Sequence, residues 1–217
     1  MTKQDQESVR AQIVRVAQAM DEAGFCPSKS GNVSARWGAG MIITPSGLPY
    51  KATTPADLVE IGFDGAVRAG ERRPSSEWPF HAAIYQARPD AQAIVHTHSP
   101  KATALACARR GIPAFHYMVA YCGGKDIRCA DYATFGTADL AKNAVAGLEG
   151  RKAVLLANHG VIALGATLDG AYAIAAEVEN LAGQYLALLA AGLEPVVLDD
   201  AEMARVGEKF AGYGKVG

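Results

Sequence analysis

Two of the chain's five histidines stand one residue apart at the end of a short apolar run, Ala93-Ile94-Val95-His96-Thr97-His98. The run is β-branched and is followed by Ser99-Pro100, so it reads as the end of a strand. Side chains at i and i+2 of a strand project to one face, which would aim both imidazoles at one point, as a shared metal ion requires. Two histidines hydrogen-bonded at a sheet edge fit the pair equally well. A third nitrogen or a carboxylate from elsewhere must decide between them.

His159 in "LLANHGVIAL" offers the nitrogen. It sits where a second apolar strand breaks, beside a glycine that allows close backbone approach. A buried structural histidine is the alternative there. His81 and His116 compete for the same role, and Glu77 with His81 could ligate jointly from one helix face. Glu77 in "PSSEWPFH" is the carboxylate candidate, on the first turn of a predicted helix, where an acid also complements the helix dipole. Three imidazoles and a carboxylate make a tetrahedral zinc set. Separations of 98 − 77 = 21 and 159 − 98 = 61 residues match no local zinc-finger spacing, so the fold must assemble such a site. That favours catalysis over a structural clip.

A second constellation is independent of the metal. "SGNVS", "TPSG" and "PSSE" are loops rich in hydroxyls, glycine and amide, each abutting a regular element. Ser75 and Ser76 at a helix start would offer hydroxyls and free N–H groups to an anion, and Asn32 with the Ser46-Gly47 turn could add donors. Any one such loop is adequately explained as a turn. Three, one of them touching the candidate carboxylate, suggest a phosphate pocket.

The elements that must position these groups follow from periodicity. Val9, Ile13, Val16 and Met20 predict an amphipathic helix over Gln6–Ala23, stopped by Gly24. Val33–Trp37 and Met41–Thr44, split by "GAG", predict a hairpin, and "DLVEIGFDGAVRAG" a second one turned at Asp64-Gly65. "SSEWPFHAAIYQA" reads as a helix capped by Ser75 or Ser76. After the His96 strand come a helix over Pro100–Arg109, two strands divided at Asn158-His159-Gly160, a long helix over Thr167–Ala191 and a short one over Ala201–Tyr213. No element is assigned between Arg109 and Lys152. Strands and helices interleave without regular βαβ alternation, and no linker divides the chain. This predicts one α/β domain over residues 1–217, a central, largely antiparallel sheet flanked by helices.

Composition narrows the partners. The chain has 217 residues, half of them apolar, and a net charge of −1, with no basic stripe to follow a nucleic acid. The N-terminus is too polar for a signal peptide. The longest uncharged stretch, Ala153–Leu168, runs 168 − 153 + 1 = 16 residues, short of a membrane span. Cys26, Cys107, Cys122 and Cys129 form no CxxC pair, as expected of free thiols in a reducing cytoplasm.

"SGNVSARW", "IITPSGLPY", "PSSEWPFHAAIYQARPDAQAIVHTHS", "IPAFHYMVAYCGG", "YATFGT" and "NHGVIAL", taken in order, resemble the class II aldolase/adducin family, most of all its sugar-1-phosphate aldolase branch acting on L-fuculose 1-phosphate. The resemblance runs from about residue 10 to the C-terminus. It implies a zinc ion (manganese or cobalt being alternatives) on His96, His98 and His159, with Glu77 as an exchangeable ligand. It implies a substrate phosphate on Asn32, Ser46, Gly47, Ser75 and Ser76. Tyr117 is then a proton donor reaching into a neighbouring subunit's site. Phe135, Phe210 and Tyr213 contact substrate or belong to a C-terminal tail closing over it, and the protein is a homotetramer.

The expected reaction is cleavage of a ketose 1-phosphate to dihydroxyacetone phosphate and a small aldehyde, with Glu77 as general base. L-fuculose 1-phosphate, 5-deoxyribulose 1-phosphate and 5-methylthioribulose 1-phosphate all fit. No lysine is placed for a Schiff base. A dehydratase, a decarboxylase or an epimerase of the same family are the rival enzymes, although the epimerases carry Asp where this chain has Glu77. A non-catalytic adducin-like binding module lacks the ligands that this chain has.

Overall fold

The computed structural model describes residues 2–212, so Tyr213 lies outside the described residues. Helix α1 (Lys3–Glu22) begins at Thr2, whose hydroxyl accepts from the Asp5 N–H while the Asp5 carboxylate accepts from the Thr2 N–H. This reciprocal pair satisfies donors that the first turn leaves free. Ile13, Val16, Ala17 and Met20 are its fully buried stripe.

Eight strands form one sheet in the order β4-β3-β2-β1-β5-β8-β7-β6. These are β1 (Asn32–Trp37), β2 (Gly40–Ile43), β3 (Val59–Gly62), β4 (Val67–Ala69), β5 (Ala93–Thr97), β6 (Arg128–Ala130), β7 (Ala153–Leu156) and β8 (Gly160–Gly165). Every pairing is antiparallel except β6 with β7. Both predicted hairpins form, the second turning through Gly65 at φ 83°.

Alternation along the strands divides the core in two. Ala93 and Val95 of β5 enter a cluster with α1, α3 (Pro100–Cys107) and α5 (Leu168–Ala190). Ile94 enters the opposite cluster with α2 (Trp78–Ala87) and α4 (Ala138–Gly147). His96 shares the face of Ile94 and so looks toward α2. On β1, Val33 and Ala35 enter the first cluster, leaving Asn32 and Ser34 on the α2 face as well. The sheet thus directs polar residues of two neighbouring strands at one helix. Burying large side chains such as Leu181 and Tyr185 of α5 stabilises the other face by roughly 1.5–3 kcal/mol each.

Three features depart from expectation. Strand β6 and helix α4 fall in the stretch to which no element was assigned; α4 is capped by the Thr137 hydroxyl, which accepts from the Leu140 N–H. Neither Ser75 nor Ser76 caps α2. Glu77 itself occupies the cap position, before the first turn and not on it, with no side-chain cap hydrogen bond. Ser75 Oγ accepts from the Glu77 N–H at 3.3 Å. Among the described residues, no helix is long and apolar enough to cross a membrane.

Candidate metal centre

His96 ends β5, and its imidazole is fully buried. Its Nδ1 donates to the Val161 carbonyl on the adjacent β8 at 2.8 Å, which leaves Nε2 to face Glu77 and His98. His98 lies one residue past β5, its N–H donating to the Phe25 carbonyl at 2.9 Å just beyond α1. His159 sits in the β7–β8 turn. Asn158 before it adopts φ 53°, and its side chain accepts from Arg109 Nε at 3.2 Å, tying the turn to the end of α3. Gly160 after it is compulsory: a Cβ there would lie 2.4 Å from the Thr97 carbonyl oxygen and against both His96 and His98. The glycine allows β8 to approach β5 closely enough for the rings to converge.

They do converge. His96 Nε2 lies 3.0 Å from His98 Nε2. Glu77 Oε2 is 3.1 Å from His96 Nε2, and Glu77 Oε1 is 3.0 Å from His159 Nε2. One ligand atom from each of Glu77, His96, His98 and His159 lies within 4.8 Å of every other. Burial opposes ionisation of Glu77, but His96 and His159 outweigh it and hold the carboxyl well below its usual range. Burial, then the charges of His96 and His159, push His98 down to about 3, so it is neutral at physiological pH.

The donor set fits a divalent cation. Glu77 Oε1 is buried, and its close polar neighbour is His159 Nε2 at 3.0 Å, a contact without the geometry of a hydrogen bond; both atoms can ligate a cation set between them. Neutral imidazoles and one carboxylate are the ligands that zinc, manganese and cobalt share.

A cavity of about 290 Å³ opens over the cluster, lined by Ser76, Glu77, His98, His159, Tyr132 and Phe135 among others. A larger hollow of about 650 Å³ beside α6 (Asp200–Gly212) shares no residue with it, so size does not locate the chemistry. Phe135 and Tyr132 are more than half exposed and give the opening an aromatic rim.

The other expected site residues are placed unevenly. Of the five phosphate candidates, only Ser76 lines this cavity. Asn32 and Ser75 are buried behind Glu77, Asn32 Nδ2 donating to both Glu77 Oε2 and Ser75 Oγ at 3.0 Å. Ser46 and Gly47 are exposed, on a loop joined to the Ser75 segment through Ser46 N–H to Arg73 and Ser75 N–H to Thr44. Tyr117 does not line the cavity; it stacks on His116 and on Phe210 of α6. His81 and His116 are not ligands: His81 is buried against Asn32 and Ser34, and His116 Nδ1 accepts from the Met118 N–H. Sequence reasoning missed Ser34 and Tyr85, whose bonds to His81 complete a buried polar line. Their signal was the four-residue step Glu77, His81, Tyr85 along α2.

A family model described as the Class II Aldolase and Adducin N-terminal domain matches residues 11–186. The 5-methylthioribulose-1-phosphate/5-deoxyribulose-1-phosphate aldolase of Rhodospirillum rubrum is 51% identical over 207 residues, covering 95% of this chain and 93% of that protein. The L-fuculose phosphate aldolase of Escherichia coli O6:H1 is 46% identical over 210 residues, 97% of each chain. Among solved structures, an L-fuculose 1-phosphate aldolase superposes with a TM-score of 0.90 at 44% identity, covering 94% of this chain and 96% of that one.

Proposed function

The chain belongs to the class II aldolase and adducin family, and from that premise we propose that it is a metal-dependent aldehyde-lyase. It cleaves a ketose 1-phosphate to dihydroxyacetone phosphate and a small aldehyde. The observation that carries this reading is the convergence of Glu77 with three imidazoles at the floor of an open cavity. The 5-deoxyribulose and 5-methylthioribulose 1-phosphates come first as substrates, since the relative named for both is 51% identical. L-fuculose 1-phosphate follows, and the aromatic rim of Tyr132 and Phe135 suits an apolar aldehyde end in either case.

A divalent cation on His96, His98 and His159, zinc foremost, supplies Lewis acidity where charge develops on the ketose oxygens, worth several kcal/mol at the transition state. Glu77 moves the proton at the carbon that loses the aldehyde: in the synthetic direction its ionised carboxylate takes that proton from dihydroxyacetone phosphate, and in cleavage the protonated carboxyl returns it. The Asn32, Ser46-Gly47 and Ser75-Ser76 segments hold the phosphate and use that remote binding to orient the reacting carbons. Tyr117 of a neighbouring copy serves the aldehyde-side oxygen, which requires an oligomer with sites between subunits, the homotetramer that the family resemblance implies; Phe135, Phe210 and Tyr213 close over substrate. Among the described residues no lysine lines the cavity, so a Schiff-base route lacks its amine there. The four cysteines are free, in keeping with a reducing cytoplasm.

The test is the zinc-loaded protein assayed against the three ketose phosphates, with coupled detection of dihydroxyacetone phosphate. Release from at least one is expected, and none from all three would sink the reading. In Glu77→Gln, zinc content should stay nearly intact while turnover falls about 10²–10⁴-fold; an active variant refutes the role of the carboxylate.

A further inference from the structure

Behind Glu77 runs an unbroken line of buried hydrogen bonds whose inner members, His81, Ser34 and Tyr85, the reaction above does not use. Asn32 Nδ2 donates to Glu77 Oε2 at 3.0 Å. Asn32 Oδ1 lies 2.5 Å from His81 Nε2, His81 Nδ1 lies 2.7 Å from Ser34 Oγ, and Ser34 Oγ lies 2.9 Å from the Tyr85 hydroxyl. Asn32, Ser34, His81 and Tyr85 are all 2% exposed or less. Two repeats meet to build it. Glu77 at the cap of α2 and His81 and Tyr85 within it follow at four-residue steps, while Asn32 and Ser34 are two apart on β1 and share its α2 face.

The direction of every bond is decided from the Glu77 end. An ionised carboxylate only accepts, so Asn32 presents its N–H₂ to Glu77 and its carbonyl oxygen to His81. His81 Nε2 must then carry the hydrogen. The ring is sealed from water; burial, then the nearby His96, outweigh the opposing charge of Glu77 and push it down to about 3, so it is neutral. Its Nδ1 therefore accepts from the Ser34 hydroxyl, whose oxygen accepts from the Tyr85 hydroxyl.

We propose that His81 is a positioning residue for Glu77: as the Nε2–H tautomer, with its Nδ1 met by the Ser34 hydroxyl, it locks the Asn32 amide with its N–H₂ toward the carboxylate. The opposite tautomer would turn the amide over and set the Asn32 carbonyl oxygen against Glu77 Oε2, acceptor against acceptor. The tautomer of a ring that touches neither cation nor substrate thus decides whether Glu77 is held or repelled. Its catalytic consequence rests on the proposed role of Glu77; the hydrogen-bond assignment does not.

Two measurements test this separately. In metal-free protein labelled with ¹⁵N-histidine, long-range ¹H–¹⁵N spectra should show His81 as the Nε2–H tautomer alone near neutral pH. An Nδ1–H or charged ring overturns the proposal whatever the enzyme does. For the catalytic consequence, His81→Phe keeps the ring's shape without a donor, and His81→Gln keeps an N–H near the Nε2 position. Loss of a group that orients a metal-site residue typically reduces activity by about 10–100-fold. That loss is expected in kcat for His81→Phe, with KM for the ketose phosphate unchanged and most of kcat regained in His81→Gln. Equal impairment of both variants, or a loss confined to KM, overturns the positioning role. Absence of any cleavage by the unaltered protein defeats the proposed function instead, while the tautomer is still read from the spectra.

Discussion

A neutral histidine sealed in a protein interior makes the fold sensitive to acid. His81 is pushed down to about 3 from its ordinary 6.5, first by burial and then by His96. Between those values the unfolded chain binds a proton that the folded chain excludes, so stability falls as pH falls. The slope approaches ~1.4 kcal/mol per pH unit for this one group. His98, also held down to about 3, adds the same sign in the metal-free protein. Urea unfolding of metal-free protein at a series of pH values between neutrality and about 4 should show this loss, and His81→Gln should flatten it. An equal slope in both proteins would contradict the assignment. At this scale much of the site was legible: His96, His98, His159 and Glu77 were each suspect from type and position. Their convergence was not legible, because 61 residues separate His98 from His159 and only the β5–β8 pairing brings them together. His81 could only be weighed as a competing ligand, because its partners, Asn32 and Ser34, belong to a strand far away in the chain.

Helix α3 starts two residues past His98, and what anchors its start is Glu179, a buried carboxylate on α5. Both of its oxygens accept from the Lys101 N–H and one also from the Ala102 N–H, at 2.9–3.1 Å. The charge also complements the positive end of the helix. Glu179→Ala would leave two buried-side donors without partners and should destabilise the fold by about 2–4 kcal/mol. Glu179→Gln, which keeps one acceptor, should lose less. Denaturant midpoints of the three proteins check the order, and an unchanged midpoint in Glu179→Ala would contradict it. Sequence alone could not assign this carboxylate, since an acid on a long Ala-rich helix reads as solvated. Elements with strong periodicity were read within a few residues: α1, the two hairpins, β5 and α5. Strand β6 was missed because three residues, Arg128-Cys129-Ala130, carry no alternating pattern, and it exists through its pairing with β7.

Tyr117 is among the expected participants that the single chain leaves away from the cavity. Tyr117 is 51% exposed and lies parallel to Phe210, their ring centroids 6.3 Å apart. If it acts in a neighbouring copy's site, two inactive variants must rescue one another. Glu77→Gln and Tyr117→Phe, mixed one to one by co-expression, should place an intact carboxylate beside an intact phenol at about a quarter of interfaces. Activity should return to that fraction of the unaltered enzyme in mixed oligomers and to neither variant alone. Mixtures no better than the average of the two would show that Tyr117 works within its own chain or not at all. The order in which the four ligands occur along the chain has its own consequence during synthesis. Glu77, His96 and His98 leave the ribosome well before His159, and the partner strand that presses the rings together, Gly160–Gly165, comes later still. Ion capture at a site of this kind is coupled to folding, so a nascent polypeptide stalled before β8 would hold a cation only weakly. Choice of metal is then made by the finished protein, from whatever the released chain meets first.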